Sequence, residues 1–170
     1  ARLGWSKGDK EVFYLNDLIK YFELNEIQRA GAIFDITKLD YLNSQHMAHL
    51  GIEEFINELI PYADDLNIDL NLHSQKNLLI ESLRASSSNL KGVALSLRPY
   101  FFEVNEYDQK AISKFIDDAV ILNNLKDMLV QVKKWSECEI DSALKIFQEA
   151  HCITTPKVNQ PIRIALTGGT

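Results

Sequence analysis

Arg163 and Thr167 are the two residues whose chemistry core packing explains least. They stand four positions apart, so on a helix they share a face. A guanidinium offers a planar fork of donors that matches a phosphate or a base edge, and a hydroxyl can both give and accept a hydrogen bond. Asn159 can cap a helix start, Pro161 fits a first turn where its missing N–H is no loss, and Gly168-Gly169 can supply a left-handed stop. Inside this short helix Ile162, Ala165 and Leu166 recur at helical spacing and are expected to face a core, leaving Arg163 and Thr167 on another side. On residue chemistry alone the plainer reading is that Arg163 lies along apolar surface or pairs with a local acid.

No other residues point to a reaction. Cys138 and Cys152, fourteen positions apart, have neither a metal-ligand spacing nor a disulfide framework; both are read as reduced, with Cys138 exposed in a first helical turn. His46 is read as a solvated or hydrogen-bonded side chain ahead of a catalytic one. The pairs Glu53-Glu54, Asp64-Asp65 and Asp117-Asp118 suit solvated helix faces or first-turn charges better than acid–base catalysis. A Walker loop, a metal cluster and an interpretable Ser/His/Asp set are all missing, so no catalytic, cofactor-binding or metal-binding residue is assigned and the chain is not expected to be an enzyme on its own.

Composition sets the frame for any partner. With 170 residues, 46% of them hydrophobic, the chain can bury a core as one domain or two small ones. A formal charge of −6 argues against gripping nucleic acid by bulk electrostatics, so RNA recognition must be local and DNA is not expected as a partner. No run is long and apolar enough to span a bilayer, and the opening ARLGWSKGDKE lacks a secretory apolar stretch; no membrane partner and a cytoplasmic address are expected.

Apolar spacing of three to four residues dominates, which predicts an all-α fold, a multi-helix bundle. A loop around Gly4, Gly8 and Asp9 leads to a short helix near Asn16 with Leu18, Ile19 and Phe22 on its apolar face, and Trp5 is read as a core anchor. Asp35 can cap a helix bearing Leu39, Leu42 and Met47. Ile52 to Ala63 form the next helix, bent or ended by Pro61; the polar alternation from Asp64 to Asn71 is read as an extended link. Ser74 caps a helix with Leu78, Leu79 and Leu83, the cluster Ala85–Ser88 breaks it, and a further helix runs from Asn89 to Leu97 until Pro99 stops it. Tyr100–Phe102 could stack bases but is read as a packing seam. Asn105 then caps a helix past Ile112, which pairs antiparallel with one through Leu122, Leu125 and Leu129, and Ser136 with Glu139 forms a capping box for the helix of Ile140, Leu144 and Phe147.

Four runs carry a resemblance. QPIRIALTG, from Gln160 to Gly168, resembles the QPLRVALTG signature of bacterial glutamyl-tRNA synthetases, and LGWSKGDKEVF, from Leu3 to Phe13, resembles their LGWSHGDQEIF. FDITKLDYLNSQHM is similar to FDxxKLxWLNxxYI, with Tyr41 in place of the tryptophan and His46 of the tyrosine. LRASSSNLKGVA resembles LRERxxTLKE, but Ser86 stands where many members have a second arginine. The resemblance covers essentially the whole chain and implies two consecutive helical anticodon-binding subdomains, 51–102 and 103–170, after a helical stem-contact remnant, 1–50. It implies a tRNA partner, held by Arg163, Thr167, Arg84, Ser86 and Lys91. It implies ATP and magnesium for the parent enzyme, none for this part, which has no HIGH-like or KMSKS-like motif, and a monomeric intact enzyme. The chain is expected to be incomplete at both ends and to expose an apolar face around Ile164 to Leu166. Ser86 lacks the fork of an arginine, which puts selectivity for the third anticodon base in doubt and admits a parent enzyme that is non-discriminating or is directed to glutamine tRNA. The alternative is a helical protein-interaction module without RNA binding, supported by the acidic charge.

Overall fold

The computed structural model describes residues 4–28, 31, 33–116 and 119–169; Leu3, the Asp117-Asp118 pair and Thr170 lie outside the described residues. Among the described residues there are nine α-helices and no strand, as the apolar spacing predicts. Contacts divide the chain into two units, Ala1–Phe101 and Phe102–Thr170.

The first unit holds α1 (Leu15–Tyr21), α2 (Ile36–His49), α3 (Ile52–Asp64), α4 (Lys76–Leu83) and α5 (Leu90–Phe101). Asp35 caps α2 as expected, its Oδ1 accepting from the Lys38 N–H at 3.1 Å. The core is built around α3, whose Phe55, Ile56, Leu59 and Ala63 are buried against Val93, Ala94 and Leu97 of α5, Leu79 and Ile80 of α4, and Met47 of α2. Burying each of the larger side chains is worth about 1.5 to 3 kcal/mol. The segment after α3 is a turn through Asn67 at φ 57°, a left-handed conformation that asparagine tolerates better than most residues. It continues into a short 3-10 turn at Leu70–Leu72. Its alternation therefore records Ile68 and Leu70 dropping into the core while Leu72 stays in solvent.

Several local expectations give way to packing. Pro99 does not stop α5, which continues to Phe101, just as Pro61 lies inside α3. Each proline falls in a last turn and removes one helical bond, while Phe101 packs on the core and against the His73 ring 5.8 Å away. The aromatic run is thus divided: Phe101 forms the seam, and Tyr100 and Phe102 remain exposed. Gln75, not Ser74, precedes α4, and no side chain caps it. Trp5 is half-buried in an aromatic cluster with Phe13 and Phe22, while Leu15, Leu18 and Ile19 of α1 are exposed.

The second unit holds α6 (Gln109–Phe115), α7 (Ala119–Val130), α8 (Glu137–His151) and α9 (Thr155–Thr167). Asp108, not Asn105, caps α6, accepting from the Lys110 N–H at 2.8 Å. The expected pairing of α6 with α7 is replaced by α6 on α9 and α7 on α8. Leu125, Phe147 and Val158 are the buried centre of the α7–α8–α9 packing. Ser136 precedes α8, but its side chain makes no cap bond; Cys138 is exposed in the first turn as expected.

The largest correction concerns α9. It begins after Thr154, with Pro156 in its first turn, so Asn159 is not a cap and Pro161 is interior. That adds a turn and changes the buried set to Val158, Pro161 and Ile164, while Ala165 and Leu166 are exposed. The expected apolar exposure holds for Leu166, at 65%, and fails for Ile164, at 0%. Gly168 does end the helix, at φ 82°, with its N–H on the Ile164 carbonyl at 2.8 Å and its carbonyl accepting from Asp108 at 2.8 Å. A Cβ there would lie 2.5 Å from the Glu106 carbonyl oxygen, so left-handed strain and a backbone clash act together. Gly168→Ala should therefore lower the unfolding free energy by roughly 2 kcal/mol or more, whereas Gly169→Ala, with open space around it, should change it by under about 1 kcal/mol; urea denaturation followed by circular dichroism checks both.

Candidate nucleic-acid interface

The α9 face is short of negative charge. Its residues, TPKVNQPIRIALT, include Lys157 and Arg163 and no acid, in a chain of net charge −6. Arg163 is exposed beside the fully buried Ile164, and its side chain has no hydrogen bond or ion pair among the described residues. It is neither half of an ion pair nor held by its own helix, so its donors are open to an external acceptor. Thr167 is half-buried, and its Oγ1 donates back to the Arg163 carbonyl at 2.7 Å, with the Gly169 carbonyl at 3.1 Å. The hydroxyl thereby closes the end of α9; of the expected pair, the arginine alone presents a free donor group.

The second candidate face lies in the first unit, where α4 passes through a 3-10 turn at Arg84–Ser86 into α5. Here the structure turns Arg84 inward. Its Nη2 donates to the Leu50 carbonyl at 2.6 Å and to the Met47 carbonyl, both at the C-terminus of α2, and Nη1 stands 3.6 Å from the Glu81 carboxylate. The guanidinium lies 4.8 Å from the Phe55 ring centre, and its side chain is only 14% exposed. The Met47 carbonyl also accepts the Leu50 N–H at 3.3 Å, so at this helix end, which a cation suits, Arg84 adds a second donor to one carbonyl and caps the other. Arg84 is thus bound into the fold, while Ser86 and Lys91 are exposed. Ser86 Oγ donates to Ser96 Oγ at 3.1 Å, and Lys91 stands in the first turn of α5.

Sequence reasoning left two contributors without a site role. Asn43 of α2 donates through Nδ2 to the Ser88 carbonyl at 2.6 Å, and Asn89 Oδ1 accepts from the Gly92 N–H at 2.9 Å, holding the start of α5. A sequence signal exists for each: Asn43 is a polar residue next to Leu42 on an otherwise apolar side, and Asn89 directly precedes an apolar helix. An open groove of about 520 Å³ runs beside this segment, lined by Ser44, Met47 and Ala48 on α2 and by residues from Glu81 to Ser88.

Among the described residues, no three His, Cys, Asp or Glu side chains are placed to hold a metal ion. No described helix is long and apolar enough to cross a membrane.

Comparison with known proteins gives a consistent picture. A family model described as anticodon binding domain matches residues 54–170. Glutamate–tRNA ligase 1 of Campylobacter hominis is 32% identical, the alignment covering 99% of this chain and 36% of that protein. The glutamate–tRNA ligase of Myxococcus xanthus is 29% identical with the same coverage, 99% and 36%. A solved glutamate tRNA ligase from Elizabethkingia meningosepticum, in complex with its amino acid, superposes with a TM-score of 0.76 at 23% identity, covering 99% of this chain and 34% of that one, a likeness of fold. The chain spans about a third of the length of the curated relatives it matches.

The two arginines should separate cleanly in stability measurements. Arg84→Ala removes two bonds to carbonyls at the end of α2, leaving that of Leu50 without this partner, and removes a ring contact, so it should cost roughly 2 to 4 kcal/mol, whereas Arg163→Ala should stay within about 0.5 kcal/mol of the parent chain, as measured by urea unfolding.

Proposed function

This chain belongs to the anticodon-binding domain family, and on that premise we propose that it reads the anticodon of a glutamate tRNA as the C-terminal portion of a glutamate–tRNA ligase. The observation that carries this reading is Arg163, an exposed guanidinium without a protein partner on a helix that bears no acid. An unpaired base presents donors and acceptors that a planar fork can read, and the local charge favours RNA without a basic stripe. Lys91 and Ser86 supply a second, weaker set of polar groups. The whole protein would ligate glutamate to tRNA with ATP and magnesium, using a catalytic part outside this chain. It would act as a monomer in the cytoplasm, with no DNA or membrane partner. Residues 1–50 would be the remnant of the stem-contact domain, with 51–102 and 103–170 as the two anticodon-binding subdomains.

The finer proposal concerns the third anticodon base, C in glutamate tRNA and G in glutamine tRNA. The exposed Ser86 hydroxyl faces solvent beside Ser96 and cannot make a forked contact, and the Arg84 fork is engaged within the protein. The parent enzyme would therefore discriminate weakly at that base and accept glutamine tRNA as well.

Fluorescence anisotropy with a glutamate tRNA transcript should show binding that an unrelated tRNA does not match. Arg163→Ala should weaken it by about 1 to 3 kcal/mol with the helical content unchanged; equal affinity in the variant would remove Arg163 from the interface. Ser86→Arg should shift preference toward C at the third base by about tenfold in a comparison of the two anticodon variants. An unaltered chain that already rejects the G variant strongly would show that Ser86 is not the determinant.

A further inference from the structure

The segment that carries Ser86 owes its place to polar ties more than to packing. Ala85 and Ser86 are exposed, Ser87 and Ser88 are half-buried, and none of the four contributes to the core. Beneath it lies the open groove against α2, so close apolar contact does not fix its height over that helix. Two connections do. At one end the Arg84 fork binds the Met47 and Leu50 carbonyls; at the other, Asn43 Nδ2 binds the Ser88 carbonyl at 2.6 Å. Both ties reach across at least 34 residues of sequence to the C-terminal half of α2. The segment then enters α5 through Asn89 and Gly92, where a Cβ at Gly92 would lie 2.6 Å from Ser87 Cβ, so the entry is tightly packed and passes its position on to Lys91.

We propose that Arg84 and Asn43 are positioning residues for RNA recognition: they contact α2 and not the RNA, and by pinning the two ends of 84–88 they set where Ser86 and Lys91 meet a nucleotide. This rests on the reading of the chain as an RNA binder. Its chemistry follows from the geometry. Arg84 Nη2 donates to both carbonyls, Nη1 faces the Glu81 carboxylate and Nε is buried, and a side chain covered to this extent would have to give up those contacts to reach outward. The loss of either tie frees one end of a segment with no apolar anchor, so recognition should suffer before the core does.

A double-mutant cycle on tRNA affinity distinguishes positioning from a merely structural part, because a general loss of stability does not alter what Lys91 contributes in the folded molecules. The 170-residue chain is titrated with a glutamate tRNA transcript as Lys91→Ala, as Asn43→Ala, and as both, at a temperature where circular dichroism shows all of them folded. Arg84→Met, which keeps an unbranched side chain beside Phe55 but has no donor for the two carbonyls, serves as the second background. Lys91→Ala should weaken binding by about tenfold in the parent chain and by under about threefold in either background. Equal Lys91 effects in all three backgrounds, or no Lys91 effect in the parent, overturn the positioning roles while leaving an Arg163-centred interface standing. A parent chain that fails to bind the transcript overturns the functional reading and this inference with it.

Discussion

The contact of the Arg84 guanidinium with the end of α2 is the interaction on which the placing of the first unit's serine-rich turn depends. Putting a guanidinium 14% exposed among helices carries a desolvation cost, and two carbonyls at the end of α2, a carboxylate and an aromatic face offset it. In return one side chain joins α2, α3 and the turn before α5. Without it, the serine-rich turn would cross an open groove with one end untethered. Arginine suits the place because its guanidinium reaches the two carbonyls, the Glu81 carboxylate and the Phe55 ring at once, which a compact ammonium does not.

The two units treat their arginines in opposite ways, and under the proposed function this contrast is what would give the acidic chain a route to RNA. In the first unit Arg84 is consumed by the fold; in the second, α9 keeps Arg163 outside while Ile164 beside it is fully buried. Rigid placement of a free cation needs both conditions: an anchored neighbour and no competing acid. Gly168 contributes the anchorage at the end, since its left-handed turn brings the chain onto the Glu106 carbonyl and its own carbonyl receives the first N–H of the α6 cap. Thr167 belongs to the same device, because its hydroxyl returns to the backbone. With a net charge of −6, local arrangements of this kind have to replace a basic surface.

Where the apolar pattern was strong, the fold was legible in the sequence. α3 shows its buried stripe at Phe55, Ile56, Leu59 and Ala63, Asp35 announces the start of α2, and Gly168 marks the stop of α9. Misjudged helix starts had a common cause: Asn159, Ser74 and Asn105 are good caps, but Thr154, Gln75 and Asp108 stand at the actual starts because tertiary packing extends or trims a helix regardless of a nearby cap. The buried stripe of α9 runs at intervals of three through Val158, Pro161 and Ile164, which places Ile164 inside and Leu166 outside. Of the candidate site, the exposure of Arg163, Ser86 and Lys91 follows from their polarity; the inward fork of Arg84 does not. Its partners are backbone carbonyls 34 and 37 residues away, and no side-chain pattern marks a carbonyl as vacant.

The central claim is that a chain of acidic composition recognises the anticodon arm of a tRNA through locally placed groups. Nuclease and hydroxyl-radical footprinting of a glutamate tRNA transcript with this chain tests it most directly. The account predicts protection confined to the anticodon loop and the adjoining stem, present with the parent chain and lost from the loop with Arg163→Ala. Protection spread evenly along the transcript, or a cleavage pattern unchanged by saturating protein, would contradict it.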